Sequence, residues 1–290
     1  MNFFDSHAHY NDTKFDEDRE ELIQKIYNEG ITKIVNAGYS LESSKQALAI
    51  AKKYDWMYTI SGISPNDIPE DASKLDEEIN QLQELICNEK LEKKNERNTN
   101  KNIDEISNKY IEKSTKKTYN KIVAIGEIGL DYHWNTDNIT LQKMAFVKQI
   151  ELANNLKLPI VIHTREAVMD TIQILKENEV LKKGVFHCCP LNRELVKEAL
   201  KLGFYISFAG PVTFKNSKNA NEIIEMCPLD KILIETDSPY LSPEPNRGKR
   251  NDSRNVKYIA QKIADVKQME IEKIAMATCE NACRIFEIDF

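Results

Sequence analysis

The sequence predicts an α/β fold, a (β/α)8 TIM barrel formed by parallel strands and surrounding helices. About eight short apolar runs alternate with segments of helical period along the 290 residues, and this alternation is typical of a parallel sheet. Five of the runs end in a histidine or a carboxylate. Because the carboxyl ends of barrel strands meet at one face, these side chains should converge at the C-terminal mouth.

Each predicted strand is short and almost entirely apolar. Parallel strands have this composition because both of their faces are buried. We place the strands at residues 3–5, 33–36, 57–62, 121–126, 159–163, 184–187, 203–207 and 231–235.

The segments between the strands have helical period. We place helices at residues 18–29, 40–54, 140–156, 167–177 and 193–202. Gly30, Gly184 and Gly203 fall where helices should end. An open doubly wound sheet shows the same alternation, but it binds ligands at a switch point between two strands. Polar side chains at the ends of five strands therefore favour the barrel.

Residues 88–120 depart from this alternation. They are rich in Lys, Asn and Glu and poor in apolar residues, which predicts a solvated, partly disordered helix inserted in the third connection. Acidic residues are interspersed with the lysines, so simple solvation is favoured over binding of a polyanion. We expect a single domain over residues 1–290 that carries this insert.

Composition limits the functional classes. The formal net charge of -6 argues against broad adhesion to nucleic acid or anionic membrane, although bound cations could still attract a phosphate locally. No apolar run approaches the ~20 residues of a membrane span, and the N-terminus lacks signal-peptide features. The six cysteines show no disulfide-framework or C-x-x-C spacing. We therefore expect a cytoplasmic protein with free thiols and no membrane partner. A monomer is the default, because the sequence shows no interface signal.

Four histidines follow predicted strands. On an extended backbone alternate residues share a face, so His7 and His9 can bind one ion, and Asp5 on the same face could orient an imidazole. His163 and His187 follow two later strands. A lone histidine in such a place is more often a hydrogen-bonded core residue, but four at one barrel face indicate metal ligands.

Two carboxylates complete the predicted metal site. Glu127 lies between Gly126 and Gly129, which would let the backbone approach a ligand closely, and its carboxylate can bridge two cations. Asp237 follows the last strand, where it could bind a metal and accept the proton of the attacking water.

Three neighbouring residues have less definite roles. Asp131 is expected to brace the loop after Glu127, and His133 is expected to lie outside the metal shell. Glu235 shares a face with Asp237, and it either supports a ligand or is structural.

Imidazole and carboxylate ligands together suit Zn²⁺ or Mn²⁺, with Mg²⁺ possible at the position richer in carboxylates. Such ions lower the pKa of a bound water, so hydrolysis is the expected chemistry. Arg165 follows a strand, and Arg247 lies in the loop after the last strand. Arginines at the mouth favour a phosphate-bearing substrate. A structural salt bridge at Arg165 and a solvated loop at 247–250 remain alternatives.

Taken in order, these motifs resemble the TatD family of metal-dependent deoxyribonucleases, within the amidohydrolase-like barrels. The resemblance covers nearly the whole chain except the insert. It rests on residues 4–9, 125–132, 158–167, 186–188, 235–241, 245–251 and 278–286.

The resemblance implies two divalent ions at the barrel mouth. One ion would be held by His7, His9, Glu127 and Asp237, and the other by Glu127, His163 and His187. The family further implies hydrolysis of DNA phosphodiester bonds, including 3′-end trimming of single strands, in DNA repair or degradation. We assign catalytic roles to Glu127 and Asp237, and substrate contacts to Arg165, Arg247 and Ser64.

Ser64 marks a departure from the family pattern. The family usually reads G-x-H-P after the third strand, whereas this chain reads Gly62-Ile63-Ser64-Pro65. A serine can donate a hydrogen bond but carries no charge near neutral pH. We expect metal binding to persist, with phosphate handling or rate altered.

Two other functions remain open. The same metals could hydrolyse an ester or amide, as in an aminoacyl-tRNA deacylase, or the chain could bind metal with reduced activity. The intact ligand set argues against the second. Arg165 and Arg247 argue against the ester or amide hydrolase, because a phosphodiesterase needs cations at the mouth more than an amidase does.

Overall fold

A computed structural model describes residues 1–107, 120–134 and 136–290 of the chain. Within these residues, eight parallel strands form one sheet in which each strand pairs with the next along the sequence. A bridge between Ala8 and Ser238 connects the two edges, so the sheet nearly closes on itself. The predicted (β/α)8 barrel is confirmed.

The strands all lie where the sequence predicts them, with ends displaced by a few residues. Their bounds are β1 Phe3–Ala8, β2 Ile31–Ala37, β3 Met57–Ser61, β4 Ile122–Asp131, β5 Ile160–Arg165, β6 Gly184–Phe186, β7 Tyr205–Phe208 and β8 Ile232–Ile234.

Helices follow the strands and cover the outside of the barrel. In the described part of the chain they are α1 Arg19–Asn28, α2 Leu41–Ala51, α3 Ala72–Ser107, α4 Ile139–Leu156, α5 Val168–Glu177, α6 Arg193–Lys201, α7 Ala220–Met226, α8 Val256–Lys267 and α9 Ile271–Ile285. Each of the five predicted helices overlaps one of these.

The long helix α3 contains the start of the predicted insert. Its first half buries Leu75, Ile79, Leu82 and Ile86, which recur at helical spacing and so form one apolar face. The helix continues to residue 107, so the first part of the insert is helical, as predicted. Residues 108–119 of the insert lie outside the described residues.

The barrel interior is apolar in its N-terminal half. Every strand contributes to this core, for example Phe4, Val123 and Val161. Helix α9 packs against this end of the core, and Phe286, the residue that follows it, is buried with its ring centroid 6.3 Å from that of Phe4. The helix therefore closes the end of the barrel opposite the mouth, and the polar groups of the mouth rest on a packed apolar layer.

Gly126 and Gly129 let strand β4 approach strand β5. A Cβ atom on Gly126 would lie 2.7 Å from Cβ of Val161, and one on Gly129 would lie 2.0 Å from the carbonyl oxygen of His163. Gly129 also has a positive φ of 139°, which L side chains rarely adopt. The sequence-based interpretation assigned these glycines to ligand approach, and the structure shows that they instead permit close strand packing.

The six cysteines are free, as their spacing predicted. Among the described residues, no helix is long and apolar enough to cross a membrane.

Candidate metal centre

The six predicted ligands converge at the C-terminal ends of the strands. On one side of the cluster, Nε2 of His7 lies 3.2 Å from Nε2 of His9. Oδ1 of Asp237 lies 3.2 Å from Nε2 of His9. Oε2 of Glu127 lies 3.6 Å from Nε2 of His7 and 3.9 Å from that of His9.

A second group of ligand atoms surrounds the other oxygen of Glu127. Its Oε1 lies 3.0 Å from Nδ1 of His163 and 3.1 Å from Nε2 of His187. These two ring nitrogens are 3.2 Å apart. The two oxygens of Glu127 therefore face different pairs of histidines, which is the arrangement expected of a carboxylate that bridges two cations.

The donor set fits divalent ions. Ligand atoms lie within 4.8 Å of one another in three overlapping groups, namely His7, His9 and Glu127; Glu127, His163 and His187; and His7, His187 and Asp237. Ring nitrogens that face each other across about 3 Å, beside carboxylate oxygens, converge as ligands around a cation do. Neutral imidazoles with carboxylates suit Zn²⁺ or Mn²⁺ better than Mg²⁺, which prefers oxygen ligands.

Both ligand carboxylates are held in the charged form. Burial alone would raise the pKa of Glu127, but His187, His163 and His7 around it keep this pKa well below its usual range. Burial likewise opposes ionisation of Asp237, and the adjacent His9 lowers its pKa. A charged carboxylate is the form that binds metal.

Asp131 contacts a ligand, a role that sequence reasoning did not give it. Its Oδ2 lies 2.9 Å from Nε2 of His163 and accepts a hydrogen bond from Nδ2 of Asn66 at 3.3 Å. Its Oδ1 accepts the backbone N–H groups of His133 and Trp134 at 2.9 and 3.2 Å. Asp131 therefore braces the loop, as expected, and also orients an imidazole. The ring of His133 lies 2.6 Å from Glu166 instead of joining the cluster.

Glu235 supports the sixth strand's ligand. Its Oε1 accepts a hydrogen bond from the backbone N–H of Cys188 at 2.6 Å and lies 3.4 Å from Nδ1 of His187. This carboxylate is fully buried, so it acts on the site through His187 and its neighbour and does not face the cavity.

Asp5 does not orient an imidazole, as the sequence suggested it could. Its carboxylate accepts hydrogen bonds from the backbone N–H and the hydroxyl of Thr236 at 2.9 and 2.5 Å, and from the backbone N–H of His7 at 3.3 Å. It therefore connects the segment of His7 to the segment after β8. Spacing alone could not distinguish these roles, because Asp5 shares a strand face with both histidines.

Five of the six predicted ligands border an open cavity of about 620 Å³, and His7 lies buried behind them. The described residues that line it include four carboxylates and no lysine or arginine. Its lining comprises His9, Asp12, Tyr39, Ser64, Asn66, Asp67, Glu127, Trp134, His163, His187, Asp237 and Tyr240.

The three predicted substrate contacts differ in position. Ser64 lines the cavity, and its hydroxyl donates to Oδ2 of Asp67 at 2.5 Å. The guanidinium of Arg165 lies 5.2 Å from the ring centroid of Trp134, outside the lining. Arg247 is exposed, and its guanidinium lies 4.2 Å from the ring centroid of Phe214. Arg165 forms no salt bridge with another described residue, and the exposure of Arg247 agrees with the solvated loop that was its alternative. The role of both arginines in substrate binding stays a prediction.

Several lining residues were not singled out from the sequence. Asp12, Tyr39, Asn66, Asp67, Trp134 and Tyr240 all lie in loops that follow strands. The signal that could have found them is position: in a barrel, the loops after the strands form the mouth. Spacing does not indicate which loop residues face inward.

Comparison with known proteins gives concordant matches. The family model described as TatD related DNase matches residues 4–287. The chain is 38% identical over 287 residues to YabD of Bacillus subtilis, named an uncharacterized metal-dependent hydrolase, across 99% of each protein. It is 42% identical over 169 residues to YcfH of Escherichia coli, which has the same description, across 58% of this chain and 64% of YcfH.

A solved structure shows the same fold. The crystal structure of YJJV, a TatD homologue from Escherichia coli, superposes with a TM-score of 0.82 at 23% sequence identity. The match covers 99% of this chain and 98% of that one. The sequence and fold similarities therefore extend over nearly the whole chain.

Proposed function

Because the chain belongs to the TatD related DNase family and is a metal-dependent hydrolase, we propose that it hydrolyses DNA phosphodiester bonds. The observation that carries this proposal is the division of the two Glu127 oxygens between two pairs of histidines. Two-metal sites of this kind suit phosphodiester hydrolysis because they stabilise both the attacking and the leaving oxygen. The proposed cofactors are accordingly two divalent ions, Zn²⁺ or Mn²⁺ in preference to Mg²⁺.

The proposed substrate is single-stranded DNA or a 3′ end, cleaved by a monomeric cytoplasmic enzyme in DNA repair or degradation. When bound, the ions would lower the pKa of a water and polarise the phosphodiester. The protein's own contribution is to fix the ligands and to move the proton. Asp131 holds His163 from behind, so this imidazole keeps one orientation. Glu235 places a carboxylate 3.4 Å from Nδ1 of His187.

Asp237 is the proposed proton acceptor. Its side chain is 15% exposed and borders the cavity, and its backbone N–H donates to the carbonyl of His7 at 2.9 Å. The residue has a positive φ of 57°, a backbone conformation that is uncommon for residues other than Gly, Asn and Asp. The carboxylate is thereby held at the mouth beside the ligands, within reach of a proton released during attack.

The direct test is metal-dependent cleavage of DNA. Protein treated with EDTA should lose cleavage of a single-stranded oligonucleotide and recover it with Mn²⁺ or Zn²⁺. Glu127→Gln should lower kcat/KM by at least about 100-fold. Loss of a direct metal ligand should reduce activity at least as much as loss of a residue that only supports a ligand. The matched control is Glu287→Gln, which alters an exposed carboxylate paired with Lys182. Absence of metal-restored DNA cleavage at any pH would contradict the proposal.

Hydrolysis of an ester or amide is the second candidate. The observation that favours it is the absence of lysine and arginine among the described residues that line the cavity. An aminoacyl-tRNA ester and a small cyclic amide should be tested beside DNA with the same metal-loaded protein. Metal-restored hydrolysis of either compound without DNA cleavage would select this second function.

A further inference from the structure

Two exposed aromatic rings flank the metal centre. Trp134 is 69% exposed and follows β4, and Tyr240 is 45% exposed and follows β8. Both line the cavity that contains Glu127. In an eight-stranded barrel that nearly closes between β1 and β8, β4 and β8 are four strands apart in either direction. The two rings therefore lie on opposite sides of the mouth.

Each ring is fixed in position by its neighbours. The guanidinium of Arg165 lies 5.2 Å from the centroid of Trp134, and Nζ of Lys14 lies 4.1 Å from that of Tyr240. The backbone N–H of Trp134 donates to Asp131, and the hydroxyl of Tyr240 donates to Asp12 at 2.6 Å. Large aromatic side chains usually bury most of their area. These two are held in place yet leave much of their ring surface open to solvent.

A ligand for this arrangement must offer flat faces on both sides of a group bound by the metals. Unpaired nucleobases on either side of a phosphodiester meet this requirement, because every base has a π face that stacks on aromatic side chains. The adjacent Arg165 and Lys14 also place positive charge where flanking phosphates would lie. Bases in a duplex are already stacked on one another, so they would have to be unstacked first.

We propose that Trp134 and Tyr240 are two base-stacking sites that receive unpaired nucleobases on either side of the phosphodiester held at the metal centre. The inference rests on the proposed hydrolysis of DNA and extends it, because it assigns the residues that select single strands. In this arrangement Arg165 supports the ring of Trp134 from behind instead of contacting the substrate inside the cavity.

Tryptophan fluorescence gives a direct test. The chain has two tryptophans, and Trp56 stacks on Tyr27 away from the mouth, so Trp56→Phe leaves Trp134 as the only tryptophan whose emission is followed. Metal-loaded protein with Trp56→Phe and Asp237→Asn, which slows turnover, is titrated with hexathymidylate and with an abasic hexamer of equal charge. The thymine strand should quench Trp134 and the abasic strand should not. Equal responses to both strands would overturn the proposal.

Steady-state kinetics test both rings. Trp134→Ala and Tyr240→Ala should each raise KM for a single-stranded oligonucleotide about 5- to 150-fold, the range expected for loss of one base–aromatic stack. The value of kcat should change little, because stacking supports binding and not the chemical step. Trp134→Phe and Tyr240→Phe keep a ring and should retain most of the affinity.

The matched control is Tyr27→Ala. Tyr27 is 42% exposed, and it lies in the last turn of α1 against Trp56. Its removal deletes a comparable exposed ring without changing the mouth, so KM should stay at the wild-type value. Unchanged KM in both Trp134→Ala and Tyr240→Ala would overturn the inference.

These measurements separate failure of the inference from failure of the proposed reaction. If the metal-loaded protein cleaves no DNA but the thymine strand alone still quenches Trp134, the stacking site stands and the reaction is wrong. If DNA is cleaved while both alanine variants and the abasic strand behave as wild type, the reaction stands and the stacking site is wrong.

Discussion

Asp131 has two carboxylate oxygens, and each serves a different part of the mouth. One lies 2.9 Å from the imidazole of His163, and the other accepts the backbone N–H groups of the loop that carries Trp134. The His163 imidazole and the backbone N–H of His133 hold the pKa of Asp131 below its usual range although burial opposes them. A charged acceptor behind a ligating imidazole fixes its tautomer and makes it a stronger ligand.

We predict that Asp131→Asn lowers metal affinity about 10- to 100-fold, the usual cost of altering a residue that supports a metal ligand. The amide keeps an oxygen for the loop N–H groups but removes the charge behind His163. Isothermal titration with Zn²⁺ or Mn²⁺ measures the change. Asp76→Asn is the control, because Asp76 pairs with Lys148 on the surface. Wild-type affinity in Asp131→Asn would show that the imidazole needs no such support.

Ser64 lies where the resemblance to the family leads us to expect a histidine. Its hydroxyl already donates a hydrogen bond to Asp67 within the cavity. A serine also offers no group that titrates near neutral pH. We predict that Ser64→His raises kcat on DNA about 10- to 100-fold, at or below the lower end of what a positioned acid or base contributes. Metal stoichiometry should not change.

Stopped-flow or gel-based turnover assays, with metal content measured in parallel, test the Ser64 substitution. Ser64→Ala separates loss of the hydrogen bond to Asp67 from gain of an imidazole. Turnover and substrate affinity of Ser64→His equal to those of the wild type would show that position 64 has no part in phosphate handling.

The positions of the six predicted ligands could be read from the sequence because each follows an apolar run of strand length. Strand ends have a known place in a barrel, so His163 and Glu127 could be predicted to meet without any contact information. Two features could not be predicted: the hydrogen bonds from the loop to Oδ1 of Asp131, and the position of Trp134 beside the cavity. Both depend on how the loop folds back after its strand. Period and spacing do not encode that geometry.

Helix α9 is the element that closes the barrel opposite the mouth. Its buried face belongs to an apolar cluster to which every strand contributes, and Phe286 just beyond its end packs near Phe4. The ligands at the mouth rest on the same strands. Packing at one end therefore helps to keep the strand ends in register at the other.

We predict that Phe286→Ala lowers the free energy of unfolding by about 3 kcal/mol, as is typical when a buried phenylalanine is truncated. Phe286 is 3% exposed, whereas Phe290 is 73% exposed in the same terminal segment. Phe290→Ala is therefore the matched control and should change stability by less than about 0.5 kcal/mol. Urea denaturation measures both, and equal stabilities would mean that α9 does not secure the barrel.

Strand order and helix positions followed from alternation of apolar and helical segments, but the extent of α3 did not. Its first half has an apolar face that includes Leu82 and Ile86, whereas the polar composition beyond residue 88 predicted only a partly disordered helix. The helix is continuous to residue 107, and lysine and glutamate, which are frequent in this part of it, are good helix formers. Amino-acid composition therefore predicts exposure to solvent more directly than it predicts local backbone conformation.

At the scale of the whole molecule, the metal centre connects distant parts of the sequence. Its ligands come from β1, β4 and the segments at the ends of β5, β6 and β8. An ion bound by these groups would bind the folded chain and not the unfolded chain. Binding energy of this kind adds to the free energy of unfolding.

We predict that metal at 100 times its dissociation constant stabilises the protein by about 2.7 kcal/mol, which raises Tm on the order of 5 °C. Differential scanning calorimetry with and without EDTA measures the shift. Glu127→Gln should lose most of it, whereas Glu287→Gln should show the wild-type shift. An identical Tm with and without metal in the wild type would mean that the cluster holds no ion under these conditions.

The charge of the cavity lining connects metal binding to the binding of an anionic substrate. Four carboxylates border the cavity, those of Asp12, Asp67, Glu127 and Asp237, and no lysine or arginine lies among its described lining residues. Two divalent cations would bring four negative charges to about zero. Bound ions would therefore make the cavity more favourable for an anionic substrate than the carboxylates alone. Metal availability would then influence the first encounter with substrate as well as the subsequent reaction.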